Sequence, residues 1–200
     1  YQRGFGGHFH NDNSVAALRD IPGLVLAVPS DPATAGGLLR ACISLARTED
    51  RVCVFVEPIA LYHQRDLYDE NDGLWQQFPD PAPIAPGTVR TYGDGRVVLV
   101  VTFGNGVRMS LRAARRTPRV CVTVLDLQWL APLPLTALTE HAMRFPRVLV
   151  VDETRRSGSV SESVIAALID ARYPGKITRV TSRDSFVPLG PAATHVLLSE

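Results

Sequence analysis

The order in which apolar runs and amphipathic stretches alternate constrains the fold of this chain more than any other feature. Five predominantly apolar runs are typical of parallel strands that are buried on both faces. They lie at residues 24–28, 52–56, 97–103, 120–125 and 148–151, and a weaker sixth run lies at 177–180. Helical patterns separate them at 31–48, 107–116, 135–144 and 161–172. The alternation predicts an α/β fold with a mostly parallel sheet.

Local signals mark where several of these helices begin and end. Ser30 or Asp31, followed by Pro32, predicts an N-cap with proline in the first helical turn. Ser159 and Glu162 have the spacing of a capping box, which predicts the start of the last helix. The Pro-Gly pair that follows this helix predicts its end.

The segment at 68–95 differs in kind from the rest of the chain, because it is rich in proline and glycine and has almost no apolar periodicity. This composition predicts an extended linker. We expect two units, residues 1–75 and 96–200, joined by a linker at 76–95. The first unit has only two clear strands and one long helix, too few to form a sheet alone. We expect it to be the end of a larger domain, with Tyr1 at a cut end.

Composition places the chain among folded globular proteins, since 46% of its residues are apolar and 20% are charged. The longest apolar run, at 97–103, is far shorter than the roughly 20 residues of a membrane span, so we expect no transmembrane helix. The N-terminus does not resemble a signal peptide. Three cysteines without CxxC spacing argue against a disulfide framework or a zinc site and fit a reducing cytoplasm, the expected location.

Charge is divided unevenly along the chain. Residues 1–95 carry 7 Lys/Arg against 12 Asp/Glu, whereas residues 96–200 carry 14 against 8. The arginines of the basic half are spread over several elements, and they cluster only at Arg112, Arg115, Arg116 and Arg119. We therefore expect no nucleic-acid binding. Two oppositely charged parts can complement each other or neighbouring subunits.

The densest cluster of polar residues lies in the glycine-rich segment 4–14. Its members include His8, Phe9, His10, Asn11, Asp12 and Asn13. Two imidazoles one residue apart concentrate proton-transfer groups in one loop, which makes it the candidate site. The alternative is a turn in which Asn13 or Ser14 caps the following helix. A metal bound by His8 and His10 would have only Asp12 nearby as a third ligand, and we expect no metal site.

Two further segments follow predicted strands, where open α/β sheets place their ligands. The turn at 103–106 precedes a helix that could bind phosphate, but Met109 occupies the position of the third glycine, which favours a tight turn. Asp152 and Glu153 could act as a base or cap a helix and pair with arginines, and we favour the structural role. The chain lacks a GxSxG motif and a cysteine beside a histidine, which argues against triad hydrolases.

Seven stretches, in the same order along the chain, resemble the beta subunit of the decarboxylating component of 2-oxo acid dehydrogenase complexes. They read HNDNS at 10–14, DIPGLV at 20–25, AVPSDP at 27–32, GGLLRA at 36–41, FVEPIALY at 55–62, VLDLQWLAPL at 124–133 and VDETRRSG at 151–158. The resemblance implies a transketolase-like thiamine diphosphate enzyme. Residues 1–75 would be the C-terminal part of a pyrimidine-binding domain, and residues 96–200 a three-layer domain of the transketolase C-terminal type.

The resemblance also implies an activity, cofactors and partners. The activity is oxidative decarboxylation of a 2-oxo acid with acyl transfer to a lipoyl group. Thiamine diphosphate with Mg²⁺ would be bound mostly by parts outside this chain, and K⁺ is a further candidate ligand. The partners would be an alpha subunit or a fused pyrophosphate-domain half, and a lipoyl acyltransferase core, within a homo- or hetero-oligomer. The chain alone is expected to be inactive.

Within these motifs the resemblance assigns His10 to the active site, where an imidazole with an ordinary pKa of about 6.5 can exchange protons near neutral pH. The residues expected near the substrate are His8, Phe9, Asn11, Asp12 and Asn13. Interface or structural roles are expected for Glu57, Asp152, Glu153, Gly158 and Glu162. No residue of the chain is assigned to the cofactor or to a metal.

Two alternatives stay open. A transketolase or deoxyxylulose phosphate synthase shares these domains, but it needs cationic residues for a phosphate tail, whereas Glu57 places an acid after the second predicted strand. The other alternative is a non-catalytic assembly module, in which the arginine cluster at 112–119 docks an acyltransferase core.

Overall fold

The computed structural model describes residues 14–198, which form two β-sheets with helices packed against them. The first elements are α1 (Val15–Arg19), β1 (Val25–Ala27), α2 (Pro32–Thr48), β2 (Cys53–Phe55) and a 3₁₀ turn (Ile59–Leu61). The next are β3 (Arg90–Tyr92), β4 (Val98–Thr102), α3 (Asn105–Arg116), β5 (Val122–Asp126) and β6 (Trp129–Ala131). The last are α4 (Leu135–Ala142), β7 (Arg147–Arg155), α5 (Val160–Asp170), β8 (Lys176–Ser182) and a 3₁₀ helix (Gly190–His195).

The predicted α/β alternation is confirmed, since every predicted strand and every predicted long helix has a counterpart at its expected place. The sequence does not predict β3 and β6. Each of them has three residues, and each is defined by pairing with a strand that is distant in sequence. The segment expected to be a linker at 76–95 therefore contains a strand.

The larger sheet has the strand order β3-β5-β4-β7-β8, with β4 at its centre. Strands β5, β4, β7 and β8 are parallel, and β3 adds an antiparallel edge. Leu99 and Val101 of β4 are fully buried. Val100 lies in register with Val124 of β5 and Leu149 of β7. This central position explains why β4 has an almost purely apolar sequence.

The smaller sheet has the order β2-β1-β6, and its third strand comes from the second predicted unit. Strand β6 pairs antiparallel with β1, placing Leu26 opposite Ala131 and Ala27 opposite Trp129. Leu26 shares a core cluster with Leu99 of the larger sheet. The first unit, too small to close a sheet alone, thus completes it with a strand from elsewhere in the chain. The predicted domain boundaries stay a prediction.

Helix α2 begins where the sequence predicts. The Asp31 side chain accepts a hydrogen bond from the Thr34 N–H at 2.7 Å, and the Asp31 N–H donates to the Thr34 hydroxyl at 3.3 Å. This reciprocal pair is a capping box, and Pro32 occupies the first turn. Of the two N-caps considered, the structure selects Asp31.

The segment at 76–95 lies along α2. The Asp80 N–H donates to the Ala33 carbonyl oxygen at 2.8 Å. The Ile84 N–H donates to the Gly37 carbonyl oxygen at 3.1 Å. A Cβ atom at Gly37 would lie 2.8 Å from the Ala82 carbonyl oxygen, so glycine permits this close approach. Backbone hydrogen bonds therefore hold the segment against the helix.

An acidic loop at 65–75 precedes this segment and is held by α3. The Arg108 Nε and Nη2 atoms donate to the Asp66 carbonyl oxygen at 3.0 and 2.6 Å. The Arg112 Nη1 atom donates to the Leu67 carbonyl oxygen at 2.9 Å, and the Arg115 guanidinium lies 5.6 Å from the centre of the Tyr68 ring. Two of the four clustered arginines thus stabilise the fold itself.

Replacing Arg108 by methionine is expected to loosen this loop. The substitution removes two charge-assisted hydrogen bonds but keeps the helix propensity of α3. We therefore expect the free energy of local opening at 66–74 to fall by about 1.5–3 kcal/mol. Hydrogen–deuterium exchange of the full-length protein measures this as faster amide exchange at 66–74. Arg119→Met, which changes an exposed arginine beyond the helix, is the control. Equal exchange in both variants would contradict the expected role of Arg108.

Candidate functional site

The segment that contains the predicted catalytic histidine lies outside the described residues. His8, Phe9, His10, Asn11, Asp12 and Asn13 therefore stay predictions. The described chain begins beside them at Ser14, which is the N-cap of α1 but makes no capping hydrogen bond through its side chain. The contacts of α1 consequently define where the segment joins the fold.

Helix α1 is fixed to the second half of the chain by Arg19 and Val15. The Arg19 Nε atom donates to the Leu130 carbonyl oxygen at 2.9 Å, and Nη2 donates to the Ser163 hydroxyl at 2.9 Å. Burial lowers the pKa of Arg19, and the negative charge of Asp152 opposes this shift. Val15 is buried in the central core. The N-terminal segment therefore joins the fold at the junction of β6 and α5.

Asp152, on β7, anchors the start of α5. Its Oδ1 atom accepts hydrogen bonds from the Thr154 N–H at 2.8 Å and the Thr154 hydroxyl at 2.7 Å. Its Oδ2 atom accepts from the Ser161 N–H at 2.7 Å. Ser159 is the N-cap of α5, as the sequence predicts, but its side chain makes no capping hydrogen bond, and the Ser161 N–H donates to the Asp152 carboxylate instead. The contacts of Asp152 are those of a structural residue.

Glu162 and Gly158 shape the turn between β7 and α5. The Gly158 N–H donates to Glu162 Oε2 at 3.0 Å, and Glu162 Oε1 lies 3.7 Å from Arg179 Nη1. Gly158 has a φ of 67°, in the left-handed region that favours glycine. Arg179 Nη1 also donates to the Arg156 carbonyl oxygen at 3.1 Å. These contacts close the turn from both sides.

Glu153 lies beside the turn at 103–106, the segment considered as a phosphate site. Burial raises the pKa of Glu153, and the neighbouring Asp152 carboxylate acts in the same direction. The Asn105 side chain and the Gly106 N–H, in the first turn of α3, stabilise its charged form. The Glu153 carboxyl group thus lies beside this helix N-terminus, although its Oε1 atom has no hydrogen-bond partner among residues 14–198. The structure therefore favours the tight-turn interpretation of 103–106.

Glu57 follows β2 at the rim of a small cavity. The Tyr62 hydroxyl donates to the Glu57 carboxylate. The cavity has a volume of about 200 Å³ and lies at the carboxyl ends of β1 and β2, with Phe55, Leu61 and Trp75 among its walls. The Trp75 indole is buried, and its Nε1 atom has no hydrogen-bond partner among residues 14–198. An acid at this rim disfavours an anionic ligand.

A buried polar cluster that sequence reasoning missed connects β3, β5 and the start of α2. The Tyr92 hydroxyl donates to Asp31 Oδ2 at 2.8 Å, and Arg90 Nη2 lies 3.8 Å from the same oxygen. Asp126, at the end of β5, is fully buried. Burial raises its pKa to about 8, although the Gln128 N–H donates to it. The Asp126 carboxyl group therefore keeps its proton to a higher pH than an exposed aspartate does.

Asp126→Asn is expected to reduce the loss of stability at alkaline pH. The unfolded carboxyl group ionises at about 3.9, whereas the folded group keeps its proton up to about 8. The unfolded state thus releases its proton first, and stability falls as pH rises through this window, by at most about 1.4 kcal/mol per pH unit. Asparagine does not ionise, and its oxygen can still accept from the Gln128 N–H.

Urea unfolding of the full-length protein at pH 5 and pH 8 measures this difference. The Asp126→Asn variant should lose less stability between the two pH values than the parent does. Asp94→Asn, at an exposed position, is the matched control and should follow the parent. An equal loss in all three proteins would contradict the expected proton uptake by Asp126.

Within 14–198, no group of three or more His, Cys, Asp or Glu side chains is arranged to hold a metal ion. No helix in the same range is long and apolar enough to cross a membrane. Cys42, Cys53 and Cys121 are unbridged thiols.

Comparison with protein families and curated proteins gives two kinds of match. Residues 87–199 match the family described as transketolase, C-terminal domain. The 2-oxoisovalerate dehydrogenase subunit beta of Bacillus subtilis is 30% identical over 165 residues, which cover 82% of this chain and 47% of that protein. The pyruvate dehydrogenase E1 component subunit beta of Staphylococcus aureus is 29% identical over 199 residues, which cover 94% of this chain and 57% of that protein. The resemblance seen in the seven motif stretches is thereby confirmed.

A solved structure described as a split gene transketolase, inactive beta4 tetramer, superposes with a TM-score of 0.66. The match has 23% sequence identity and covers 90% of this chain and 55% of the transketolase chain. This likeness concerns the fold alone. The chain spans about half the length of the curated relatives it matches.

Proposed function

This chain belongs to the transketolase C-terminal domain family, and we propose that the protein containing it is the beta part of a thiamine diphosphate-dependent 2-oxo acid dehydrogenase. Two dehydrogenase beta subunits match 82% and 94% of the chain, and this observation carries the proposal. The proposed reaction is oxidative decarboxylation of a 2-oxo acid with transfer of the acyl group to a lipoyl arm.

In this proposal His10 exchanges protons with the substrate or with the lipoyl thiol, a task that suits an imidazole near neutral pH. His8, Phe9, Asn11, Asp12 and Asn13 surround the substrate. The hydrogen bonds of Arg19 to Leu130 and Ser163 support this assignment, because they fix the helix that follows the histidine segment. The two carboxyl groups at 152–153 are structural.

The described residues do not by themselves fit thiamine diphosphate. The Glu153 carboxyl group lies beside the N-terminus of α3, where a diphosphate could bind, and residues 14–198 contain no metal-ligand cluster. The diphosphate, Mg²⁺ and any K⁺ would then be held by other parts of the assembled protein. An alpha subunit or a fused half would supply them, a lipoyl acyltransferase core would accept the acyl group, and the oligomer would be cytoplasmic.

A sugar-phosphate transketolase is the second candidate, and the structural likeness to a split gene transketolase supports it at the level of fold alone. The Glu57 carboxylate argues against it, because a negative charge at the cavity rim repels a phosphate tail. The assembly-module alternative loses support as well, since Arg112 and Arg115 are engaged with the loop at 65–75.

The test is thiamine-dependent dye reduction by the full-length protein with its partner subunit. Pyruvate, branched-chain 2-oxo acids and xylulose 5-phosphate are offered in parallel, with and without added thiamine diphosphate and Mg²⁺. We expect cofactor-dependent turnover of a 2-oxo acid, which also identifies the substrate. Turnover of the sugar phosphate alone, or of no substrate despite bound cofactor, would overturn the proposal.

A further inference from the structure

A small cavity opens at the carboxyl ends of β1 and β2, the edge at which open α/β sheets bind ligands. Its volume is about 200 Å³, below the roughly 300 Å³ at which sites for drug-sized ligands begin. The walls are mainly apolar, and they include Pro29, Pro32, Phe55 and Leu61. A cavity of this size and lining fits a short apolar chain rather than a nucleotide or a whole cofactor.

The indole of Trp75 brings an unused hydrogen-bond donor to this cavity. Trp75 lines the cavity and is 2% exposed, and its Nε1 atom has no hydrogen-bond partner among residues 14–198. An indole N–H can only donate, and a buried donor without an acceptor is unfavourable. A ligand that places a carbonyl oxygen against Nε1 would satisfy this donor.

The two carboxylates that line the cavity differ in what they already bind. Both oxygens of Asp31 are engaged, Oδ1 by the Thr34 N–H at 2.7 Å and Oδ2 by the Tyr92 hydroxyl at 2.8 Å. Glu57 is exposed at the rim, and the Tyr62 hydroxyl donates to its Oε2 atom. The other oxygen of the Glu57 carboxylate can accept a hydrogen bond from a ligand.

Contacts within the chain hold the cavity open without a ligand. The Trp75 N–H donates to the Arg65 carbonyl oxygen at 3.0 Å, which closes the loop at 65–75, and Arg108 holds the same loop. The capping box of Asp31 fixes another wall. A preformed cavity orders few groups on binding, so its ligand should bind in the absence of catalysis.

We propose that this cavity binds a neutral amide carried on a short apolar chain. The amide oxygen accepts from the Trp75 Nε1–H, the amide N–H donates to the Glu57 carboxylate, and the chain packs against the apolar walls. An anion would be repelled by Glu57, and a cation would leave the Trp75 donor without an acceptor. The lipoyl arm is an acyl chain that ends in an amide, and its assignment as the occupant rests on the proposed function.

Ligand-observed NMR titration of the full-length protein tests the site with three probes of the same acyl chain length. Octanamide is the neutral amide, octanoate is the anion, and lipoamide is the amide that carries a dithiolane ring. We expect octanoate to bind about tenfold more weakly than octanamide, because the Glu57 carboxylate repels it. Lipoamide should bind at least as tightly as octanamide. Equal binding of octanamide and octanoate would overturn the proposal.

Three variants assign the contacts within the cavity. Trp75→Phe keeps an aromatic ring in the wall but removes the indole N–H, so it should weaken octanamide binding by about fivefold. Trp129→Phe is the matched control, because Trp129 is also buried with an unpartnered Nε1 among residues 14–198 but is not part of the cavity wall. Glu57→Gln removes the charge, so octanoate should bind nearly as well as octanamide. Equal octanamide binding by the two tryptophan variants would contradict the proposal.

The binding measurements are separate from the test of the proposed function, because dye reduction needs no lipoyl group. Turnover of a 2-oxo acid without binding of either amide would overturn the cavity proposal alone. Binding of octanamide without binding of lipoamide would exclude the lipoyl arm as the occupant and support the amide site. Amide binding by a protein that turns over no 2-oxo acid would overturn the proposed function and, with it, the lipoyl arm as the occupant.

Discussion

Replacing His10 by alanine in the full-length protein is expected to lower kcat/KM for the 2-oxo acid by about 10²-fold or more. The methyl group of alanine cannot donate or accept a proton. The measurement is thiamine-dependent dye reduction with the partner subunit present and the cofactor at saturation.

His195→Ala is the matched control, because this exposed histidine lies in the C-terminal 3₁₀ helix and is not among the residues expected near the substrate. It should keep kcat/KM within about twofold of the parent, as most surface substitutions leave the fold unperturbed. An unchanged thermal midpoint of His10→Ala would show that the lost activity is not lost folding. Full activity of His10→Ala would remove this residue from the active site and favour the assembly module.

Asp152→Ala is expected to destabilise the protein by about 3 kcal/mol or more. The Asp152 carboxylate is 1% exposed and accepts three hydrogen bonds, so alanine leaves buried donors of Thr154 and Ser161 unsatisfied, at roughly 1–3 kcal/mol each. The substitution also removes the negative charge of Asp152, which acts on the Arg19 guanidinium. Urea unfolding of the full-length protein measures the change.

Two further variants at and near α5 test the cause. Asp152→Asn keeps one acceptor oxygen, so it should lose about half as much stability as Asp152→Ala. Asp170→Ala removes an exposed carboxylate at the end of α5 and should change stability by no more than about 0.5 kcal/mol. If Asp152→Ala behaves like Asp170→Ala, the carboxylate does not anchor the helix.

The parts of the fold that were predictable depend on neighbours in the chain. The capping box at Asp31 and Thr34 spans one helical turn, so its members are visible together in the sequence. Strand β4 is equally predictable from the sequence, because a strand buried on both faces needs apolar residues at every position. Ser159 is the N-cap of α5, as its spacing predicts, but the Ser161 N–H donates to Asp152, which lies on another element.

The sequence identifies the candidate site as a motif, but it gives little information on how the surrounding elements are arranged in space. The segment around His10 is identified by its residue types and by its order among the other motifs. Nothing in the local pattern marks Arg19 as the anchor of α1, because its partners Leu130 and Ser163 lie on elements far along the chain. The raised pKa of Asp126 likewise depends on complete burial, which a single aspartate after a strand does not reveal.

The sequence by itself determined the α/β class, the start of α2 and the family, because periodicity, capping and motif order are all properties of the chain. Only the tertiary structure decided that β6 completes the smaller sheet and that Arg19 anchors α1 to β6 and α5. The physical reason is that an apolar or polar pattern specifies which face of an element is buried. It does not specify the distant residues against which that face is buried.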